Sequence, residues 1–353
     1  MGYGITSAEA IKQALPHLGV ELVTVQPRRR RWPDLERQRL AWLIDGQKAL
    51  LSLDLSQFDL IFIFHSFQHF PAEVRRILFD LKSPLPIAGY THGSHWDPTD
   101  VFRTIHYPGM EVVDLANLLC LDRVLLPSYY LRDVLLENIG RWKPEVAKQL
   151  EPKLAVVGLP INTNQMDAFH TTEKFERPTI VFNHALIPSK APTVFLEIAE
   201  ELLERHDVNV IITRHAEDES VAALLQRLSK RFPHRFLVGE TYSLPDYFRL
   251  LWKADLQVST AIHEGLGIAT LEAMYTENCC LLPNCCSYPE ITGGFQDVLY
   301  NSREELLDKI DYFLKNEAER RKVACELRRR SLRYAPEQVA SRLYATFSEI
   351  LRV

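Results

Sequence analysis

The sequence has no apolar run long enough to cross a membrane. Its best candidate, residues 60–64, has only the length of a strand, whereas a membrane-spanning helix needs about 20 residues. The first residues contain neither the basic region nor the apolar core of a signal peptide. The 46 Asp and Glu nearly balance the 41 Lys and Arg, so no global positive field attracts nucleic acid or an anionic membrane. These absences predict a cytoplasmic protein with no membrane span.

Cysteine is scarce, and its placement does not suggest a metal site. Four of the six cysteines form the adjacent pairs Cys279-Cys280 and Cys285-Cys286. Zinc motifs usually separate paired ligands by roughly two to four residues so that both side chains converge. Neighbouring side chains in a strand point to opposite faces instead. Residues 279–282 are therefore predicted to form a buried strand with free thiols, and no metal is expected.

The chain of 353 residues is 46% hydrophobic and 25% charged, which is typical of a globular protein. At about 150 residues per domain, its length suggests two domains or one large domain. Short apolar segments alternate with amphipathic ones, which predicts parallel sheets covered by helices. Strands are predicted at residues 21–25, 58–64, 85–90, 123–127, 153–157, 179–183, 209–213, 236–238, 256–259 and 279–283. Helices are predicted at residues 7–15, 35–51, 72–81, 129–139, 191–204, 220–232, 304–313 and 336–351.

The predicted fold class is α/β, with two Rossmann-like, doubly wound domains. The first spans residues 1–160 and the second residues 161–335, while residues 336–353 form a terminal helix that packs back on the first domain or serves a partner. A Rossmann-like domain normally begins with a strand that leads into a glycine-rich turn. Here Gly2 and Gly4 have no strand before them. Either the first strand is absent, or the natural chain begins before Met1.

The most informative motif is Ser-Thr-Ala-Ile-His-Glu-Gly-Leu-Gly-Ile-Ala-Thr-Leu-Glu-Ala-Met, at residues 259–274. A strand is predicted to end at its start, and a helix to begin near Gly267. Glycines let backbone N–H groups approach a ligand closely, and the amino end of a helix favours an anion such as a diphosphate. The loop of Gly265, Leu266 and Gly267 is therefore predicted to bind phosphate; the alternative is a solvated helix start.

The same motif contains two carboxylates. Glu264 lies in the loop, and Glu272 lies about a turn and a half into the helix. Both can face one ligand, the first at a sugar and the second at a ribose, because carboxylates accept hydrogen bonds from hydroxyl groups well.

This stretch resembles the Glu-x7-Glu signature of the retaining glycosyltransferases of family 4, which have the GT-B fold of two Rossmann-like domains facing a central cleft. The continuation Pro-Asn at residues 283–284 and Ser-Tyr-Pro-Glu at residues 287–290 is also similar to that family. The resemblance covers most of the second half of the chain and, more weakly, the first half. It implies a donor-binding second domain, an acceptor-binding first domain and no required metal or other cofactor.

The resemblance also implies that an arginine and, five residues later, a lysine neutralise the donor diphosphate. The matching segment is residues 182–190, where Lys190 matches the lysine but Ala185 replaces the arginine. A lysine cannot bind a phosphate bidentately as an arginine does. Arg214, after the next predicted strand, or His184 could supply the missing charge; alternatively, Arg214 meets only solvent.

In the first domain, residues 89–97 follow a predicted strand and so lie at the edge where open α/β folds bind ligands. His92 matches the position where the family often has a histidine that reaches the transferred sugar, although a lone histidine is usually structural. Contacts with an acceptor are predicted for His95, Trp96 and Asp97, and by analogy for Gly2 and Gly4.

Residues 26–33, Gln-Pro-Arg-Arg-Arg-Arg-Trp-Pro, form the one notable charge run. Arginines such as Arg28 and Arg31 can bind phosphates and a tryptophan can stack on a base, so a nucleic acid or phosphorylated acceptor is one interpretation. A solvated loop is the other interpretation. A comparable stretch occurs in the tRNA-queuosine mannosyltransferases, distant relatives of family 4, and residues 184–190 resemble their His-Arg segment with the arginine lost.

The predicted function is transfer of a sugar, with retention, from a nucleotide-diphosphate sugar, with UDP or GDP as the expected nucleotide. His92 and Glu264 are the predicted catalytic residues, and no side chain is assigned as nucleophile. The acceptor stays open among glycans, lipids, proteins and nucleic acids. The alternatives are a non-catalytic nucleotide-sugar-binding module, motivated by Ala185, and an epimerase or phosphorylase of the same fold.

Overall fold

The computed structural model describes residues 3–25, 35–65, 70–100, 109–239 and 242–352. The chain divides into two compact units. The amino-terminal unit comprises Ile11–Gly158 and Ala340–Val353, and the carboxyl-terminal unit comprises Met1–Ala10 and Leu159–Val339. Within the described ranges, no helix combines the length and the apolar character that a membrane crossing requires.

The first half of the chain builds a parallel four-stranded sheet in the order β1-β2-β3-β4. Each residue of β2 is buried, as expected for a parallel strand with both faces covered. The elements are α1 (Tyr3–Ala14), α2 (Leu35–Ser52), β1 (Ile61–Ile63), α3 (Phe70–Asp80), β2 (Ile87–Tyr90), α4 (Met110–Cys120), β3 (Arg123–Leu126), α5 (Tyr129–Trp142), α6 (Pro144–Leu150) and β4 (Leu154–Val156).

The predicted strand at residues 21–25 is wrong. These residues are exposed and join no ladder, with Val23 at 63% exposure. An apolar alternation favours a strand only where one of its faces finds a partner to cover it. The other four strands predicted for this half are confirmed, each slightly shorter than expected.

The second half builds a parallel six-stranded sheet in the order β10-β9-β8-β5-β6-β7. Read from the opposite edge, this is the Rossmann strand order 3-2-1-4-5-6. The elements are α7 (Thr163–Asp167), β5 (Thr179–Phe182), α8 (Pro192–Arg205), β6 (Asn209–Ile212), α9 (Glu219–Arg231), β7 (Phe236–Val238), α10 (Leu244–Lys253), β8 (Leu256–Val258), α11 (Ile268–Tyr275), β9 (Cys279–Pro283), α12 (Tyr288–Ile291), β10 (Leu299–Tyr300), α13 (Arg303–Lys315), α14 (Glu317–Ser331) and α15 (Pro336–Leu351).

Helix α14 has no counterpart among the predicted elements, because most of its residues are charged and its apolar stripe is narrow. Only a few of its side chains, such as Val323 and Leu327, reach the core. Its surface carries pairs three or four residues apart, including Arg330 with Glu326 at 2.6 Å, which support a helix locally. Two-residue β10 is too short to show an apolar pattern.

The last turns of α15 belong to the amino-terminal unit. Arg342 Nε donates a hydrogen bond to the backbone oxygen of Val157 at 2.8 Å, and the Phe347 ring lies 5.4 Å from the Phe62 ring. The chain therefore returns at its carboxyl end to the unit that contains β1–β4.

Candidate active site

The candidate site lies in the carboxyl-terminal unit, where β5 and β8 are neighbours. Chain connections leave these two strands in opposite directions along the sheet, and ligands of open α/β folds bind outside the carboxyl ends at such a switch point. Asn183 and His184 directly follow β5, and the loop of residues 259–267 directly follows β8. The sheet order thus brings the two predicted donor-binding segments to the same edge.

Backbone hydrogen bonds join these two segments. The N–H groups of Ile262 and His263 donate to the backbone oxygen of Ser189 at 3.0 and 3.2 Å. The Thr260 hydroxyl donates to the backbone oxygen of Lys190 at 3.0 Å. Lys190 is therefore held beside the loop that follows β8, although about 70 residues separate them in sequence.

Lys190 forms a close ion pair with Glu264. Its Nζ lies 2.9 Å from Glu264 Oε2 and donates to the backbone oxygen of His263 at 2.7 Å. Burial raises the pKa of Glu264, but the charge of Lys190 and its hydrogen bond outweigh burial and hold the pKa below its usual value. Glu264 is therefore an ionised carboxylate with its cation in place.

His184 is buried and does not supply the positive charge suggested for it. Its Nε2 lies 3.1 Å from Gln257 Nε2; because an amide nitrogen only donates, the imidazole accepts there and carries its hydrogen on Nδ1. That Nδ1 lies 4.0 Å from Glu264 Oε2. Burial lowers the pKa of His184 to about 4, so the ring is neutral at pH 7.

Gly267 allows the loop to turn into α11. Its φ of +91° lies in the left-handed region, and a Cβ there would stand 3.3 Å from Glu264 Cγ. The helix begins at Ile268, which confirms the predicted start. Leu266 is buried while Gly265 is half-buried, so Leu266 can serve a ligand through its backbone alone.

The Ser-Tyr-Pro-Glu segment at residues 287–290, which follows β9, supports the loop that contains Glu264. Ser287 Oγ donates to the backbone oxygen of Glu264 at 3.0 Å. The Tyr288 hydroxyl lies 2.7 Å from Ser259 Oγ, and both side chains are buried. This turn therefore fixes the backbone that carries Glu264.

Glu272 lies on α11, half-buried, and accepts a hydrogen bond from the Tyr247 hydroxyl at 2.7 Å. Asn183 Nδ2 donates to that hydroxyl at 3.1 Å. Burial raises the pKa of Glu272 to about 7, against the opposing effects of Tyr247 and of exposed Arg214. No sequence motif singles out Asn183 or Tyr247, and only the position of Asn183 at the end of an apolar strand points to it.

The raised pKa of Glu272 makes folding stability depend on pH. An unperturbed glutamate has a pKa of 4.5, whereas the pKa of Glu272 is about 7 in the folded protein. The folded state therefore binds more protons between these values, and stability falls as pH rises. We expect Glu272→Gln, which cannot ionise, to raise the melting temperature relative to the native protein at pH 8 but little at pH 4.5. A difference in melting temperature that is equal at both pH values would contradict this.

In the amino-terminal unit, His92 follows β2 and is buried. Its Nε2 donates to the backbone oxygen of Phe64 at 2.6 Å, and its ring stacks on Tyr90 with centroids 5.5 Å apart. Burial, together with His65, lowers the pKa of His92 to about 3. The imidazole is therefore neutral at pH 7, and any sugar contact it makes is a neutral hydrogen bond.

The predicted acceptor residues 95–97 make internal contacts. His95 Nδ1 lies 2.8 Å from the buried Asp114 carboxylate, and the Trp96 indole donates to a backbone oxygen on α4 at 2.7 Å. Asp97 accepts hydrogen bonds from Thr99 and from a tyrosine of α5. These contacts stabilise the loop itself, and the predicted acceptor contacts stay predictions.

The remaining predicted acceptor residues are Gly2, Gly4, Arg28 and Arg31. Gly4 lies within α1, whereas Gly2, Arg28 and Arg31 lie outside the described residues. Across the described ranges, His, Cys, Asp and Glu form no group of three that could hold a metal ion. The prediction for Cys279 and Cys280 is confirmed, since both are free thiols buried in β9.

Comparisons with known proteins find similarity to glycosyltransferases. Residues 165–330 match the family model of glycosyl transferases group 1. A curated relative, tRNA-queuosine alpha-mannosyltransferase of Drosophila melanogaster, is 24% identical over an alignment of 217 residues that covers 57% of this chain and 57% of that protein. The matched region thus spans little more than half of the relative's length.

Solved structures show the same fold. A glycosyltransferase from Rickettsia africae superimposes with a TM-score of 0.70 at 16% identity, covering 99% of this chain and 95% of its own. Anabaena HepE, in complex with UDP and glucose, gives 0.68 at 13% identity, covering 98% and 96%. The predicted α/β class and GT-B fold are confirmed, and the match to the glycosyl transferases group 1 model covers residues 165–330.

Proposed function

We propose that this protein is a retaining glycosyltransferase that transfers a hexose from a nucleotide-diphosphate sugar. The observation that carries the proposal is the grouping of Lys190, Glu264, Gly267 and Glu272 at the switch point between β5 and β8. A cation, a helix start and two carboxylates there match the needs of a diphosphate, a sugar and a ribose.

Each group has a distinct role in the proposed reaction. Lys190, the amino end of α11 and exposed Arg214 stabilise the charge that develops on the leaving diphosphate. Glu264, kept ionised by Lys190, accepts hydrogen bonds from sugar hydroxyls. Glu272 accepts those of the ribose. A contact of the neutral His92 imidazole with the sugar stays a prediction, and no side chain of this chain is required as a nucleophile.

The donor and acceptor are proposed only as classes. We propose UDP or GDP as the nucleotide, and HepE provides a parallel because its structure contains UDP and glucose. The name of the Drosophila relative makes tRNA one acceptor worth testing, beside glycans, lipids and proteins. The proposal requires no metal ion or other cofactor.

The test is nucleotide-induced thermal stabilisation, measured with UDP, GDP, ADP and their sugar conjugates. A ligand that binds only the folded chain at a hundred times its Kd adds about 2.7 kcal/mol of stability. We expect one nucleotide to raise the melting temperature clearly and Glu272→Ala to remove the increase. If no nucleotide stabilises the native protein, the proposal fails.

Ala185 favours one second candidate, a module that binds nucleotide sugars without transferring them. It is exposed beside the buried His184 and offers no charge to a phosphate. This candidate predicts nucleotide stabilisation but no release of free nucleotide from the sugar conjugate with any acceptor. Ala185→Arg would then tighten nucleotide binding, since arginine binds a phosphate bidentately.

A further inference from the structure

A directed chain of hydrogen bonds surrounds Glu272 and joins three elements. Asn183, at the end of β5, donates through Nδ2 to the Tyr247 hydroxyl at 3.1 Å and to the backbone oxygen of Ala269 at 2.7 Å. Tyr247, on α10, donates to Glu272 Oε2 at 2.7 Å. Ala269 and Glu272 both lie on α11, so Asn183 binds the helix and the tyrosine together.

The direction of every bond in this chain is determined. A backbone oxygen only accepts, so the amide group of Asn183 must direct its nitrogen toward Ala269. That same nitrogen donates to Tyr247, whose single hydroxyl hydrogen is then left for Glu272. Oε2 is thereby occupied as an acceptor, while Oε1 forms no hydrogen bond with any residue of the described ranges. The carboxyl group is held by one oxygen and offers the other.

We propose that Tyr247, itself oriented by Asn183, is the positioning residue that presents Glu272 to the ribose of the donor nucleotide. The inference rests on the proposed function, because only that function assigns a ribose to Glu272. It adds two residues that carry no ligand-binding signal in the sequence. Tyr247 acts through Glu272 and does not itself contact the ligand.

Among the described residues around Glu272, Tyr247 is the one whose side chain forms a hydrogen bond with its carboxylate. Exposed Arg214, after β6, is a charged group that favours the ionised form of Glu272. Helix α14 also packs on α11, but its Arg328 pairs with Glu277 at 2.6 Å. Strand β9 also packs on α11, and its Cys279 and Cys280 thiols are buried and neutral. A half-buried carboxylate without a fixed partner would sample several rotamers, at a cost to any ligand that needs one of them.

The pKa of Glu272 also supports a positioning role for Tyr247. Burial raises the pKa of Glu272 to about 7, while the Tyr247 hydroxyl stabilises the ionised form. Ribose hydroxyls donate hydrogen bonds and so bind the ionised form better. Nucleotide affinity should therefore increase as pH rises through about 7 in the native protein.

The experiment measures nucleotide affinity from pH 5.5 to 9 in the native protein and in Tyr247→Phe, which removes one hydroxyl and keeps the ring. Loss of a hydrogen bond to a charged group should weaken binding at pH 7 about 10-fold. Loss of the donor also raises the pKa of Glu272, so the midpoint of the affinity profile should move up by about one pH unit. A simple structural defect would lower affinity without moving the midpoint.

The matched control is Tyr275→Phe. Tyr275 lies on α11 as Glu272 does, and its hydroxyl donates to a different carboxylate, Asp167 Oδ2, at the same distance of 2.7 Å. This variant loses the same kind of bond, a tyrosine hydroxyl to a carboxylate, at the helix that carries Glu272 and should keep the midpoint of the native protein. Equal shifts in Tyr247→Phe and Tyr275→Phe would overturn the proposal.

Failure of the inference is distinguishable from failure of the proposed function. If the native protein binds no nucleotide at any pH, the proposed function fails, and the ribose assignment fails with it. The pH profile of the melting temperature still reports on Tyr247 without any ligand. If Tyr247→Phe shifts that profile and the shift disappears in the Glu272→Gln background, Tyr247 holds Glu272; if the shift persists there, the positioning role is wrong.

Discussion

Lys190→Ala is expected to reduce glycosyl transfer by about 100- to 1,000-fold, the usual effect of removing one group that stabilises a developing negative charge. The substitution removes the cation that lies beside the loop leading into α11 and leaves Glu264 without its partner at 2.9 Å. Burial would then raise the pKa of Glu264, so one substitution alters both the diphosphate and the sugar contacts. Initial rates and nucleotide Kd, measured together, check this.

Lys309→Ala is the control for this variant. Lys309 Nζ also bonds to backbone oxygens, at 3.1 and 3.2 Å, and pairs with a carboxylate, Glu305, at 3.4 Å. It lies on α13 and is not part of the candidate site. We expect it to keep native activity. If Lys190→Ala retains more than about a third of the native rate, the assigned role of Lys190 in charge stabilisation is wrong.

Gly267→Ala is expected to lower activity about 10-fold, because the added methyl group displaces Glu264, and activity falls steeply with the displacement of a binding group. The new methyl group would stand 3.3 Å from Glu264 Cγ and 3.5 Å from the ring of Tyr288, which is buried. The distance to Tyr288 is an ordinary van der Waals contact, but the distance to Glu264 Cγ is tight, so Glu264 must shift by a few tenths of an ångström. The φ of +91° adds backbone strain of about 1 kcal/mol or more.

Gly294→Ala separates the effect of backbone strain from the effect of displacing Glu264. Gly294 also has a positive φ, +72°, but an added Cβ would meet no atom within 4 Å. Both variants should lose similar stability in thermal unfolding, while only Gly267→Ala should lose activity and nucleotide affinity. Equal activity in the two variants would show that Glu264 does not depend on the geometry of this turn.

Local patterns in the chain located most of the elements but not their arrangement. The apolar runs of β5, β6 and β8 predicted strands because parallel strands are buried on both faces. The exposed segment 21–25 had a similar pattern and forms no strand. Periodicity reports which side chains could be buried, whereas a strand forms only where a neighbouring strand completes its hydrogen bonds.

For the candidate site, too, the sequence predicted some features and only the tertiary structure decided the others. The motif of residues 259–274 determined where the loop, the helix start and the two glutamates lie, because glycine and helix-start chemistry act over a few residues. The neutral state of His184 and the Lys190–Glu264 pair depend on burial and on contacts about 70 residues apart in sequence.

The same holds for Asn183, Tyr247 and Glu272, which come from three elements. Only the tertiary structure decides such groupings, because the order of strands in the sheet determines which loops meet at its edge. Charge states follow from that packing, since desolvation and nearby charges set each pKa. The sequence alone determined the kind of site, and the folded sheet decided which side chains share it.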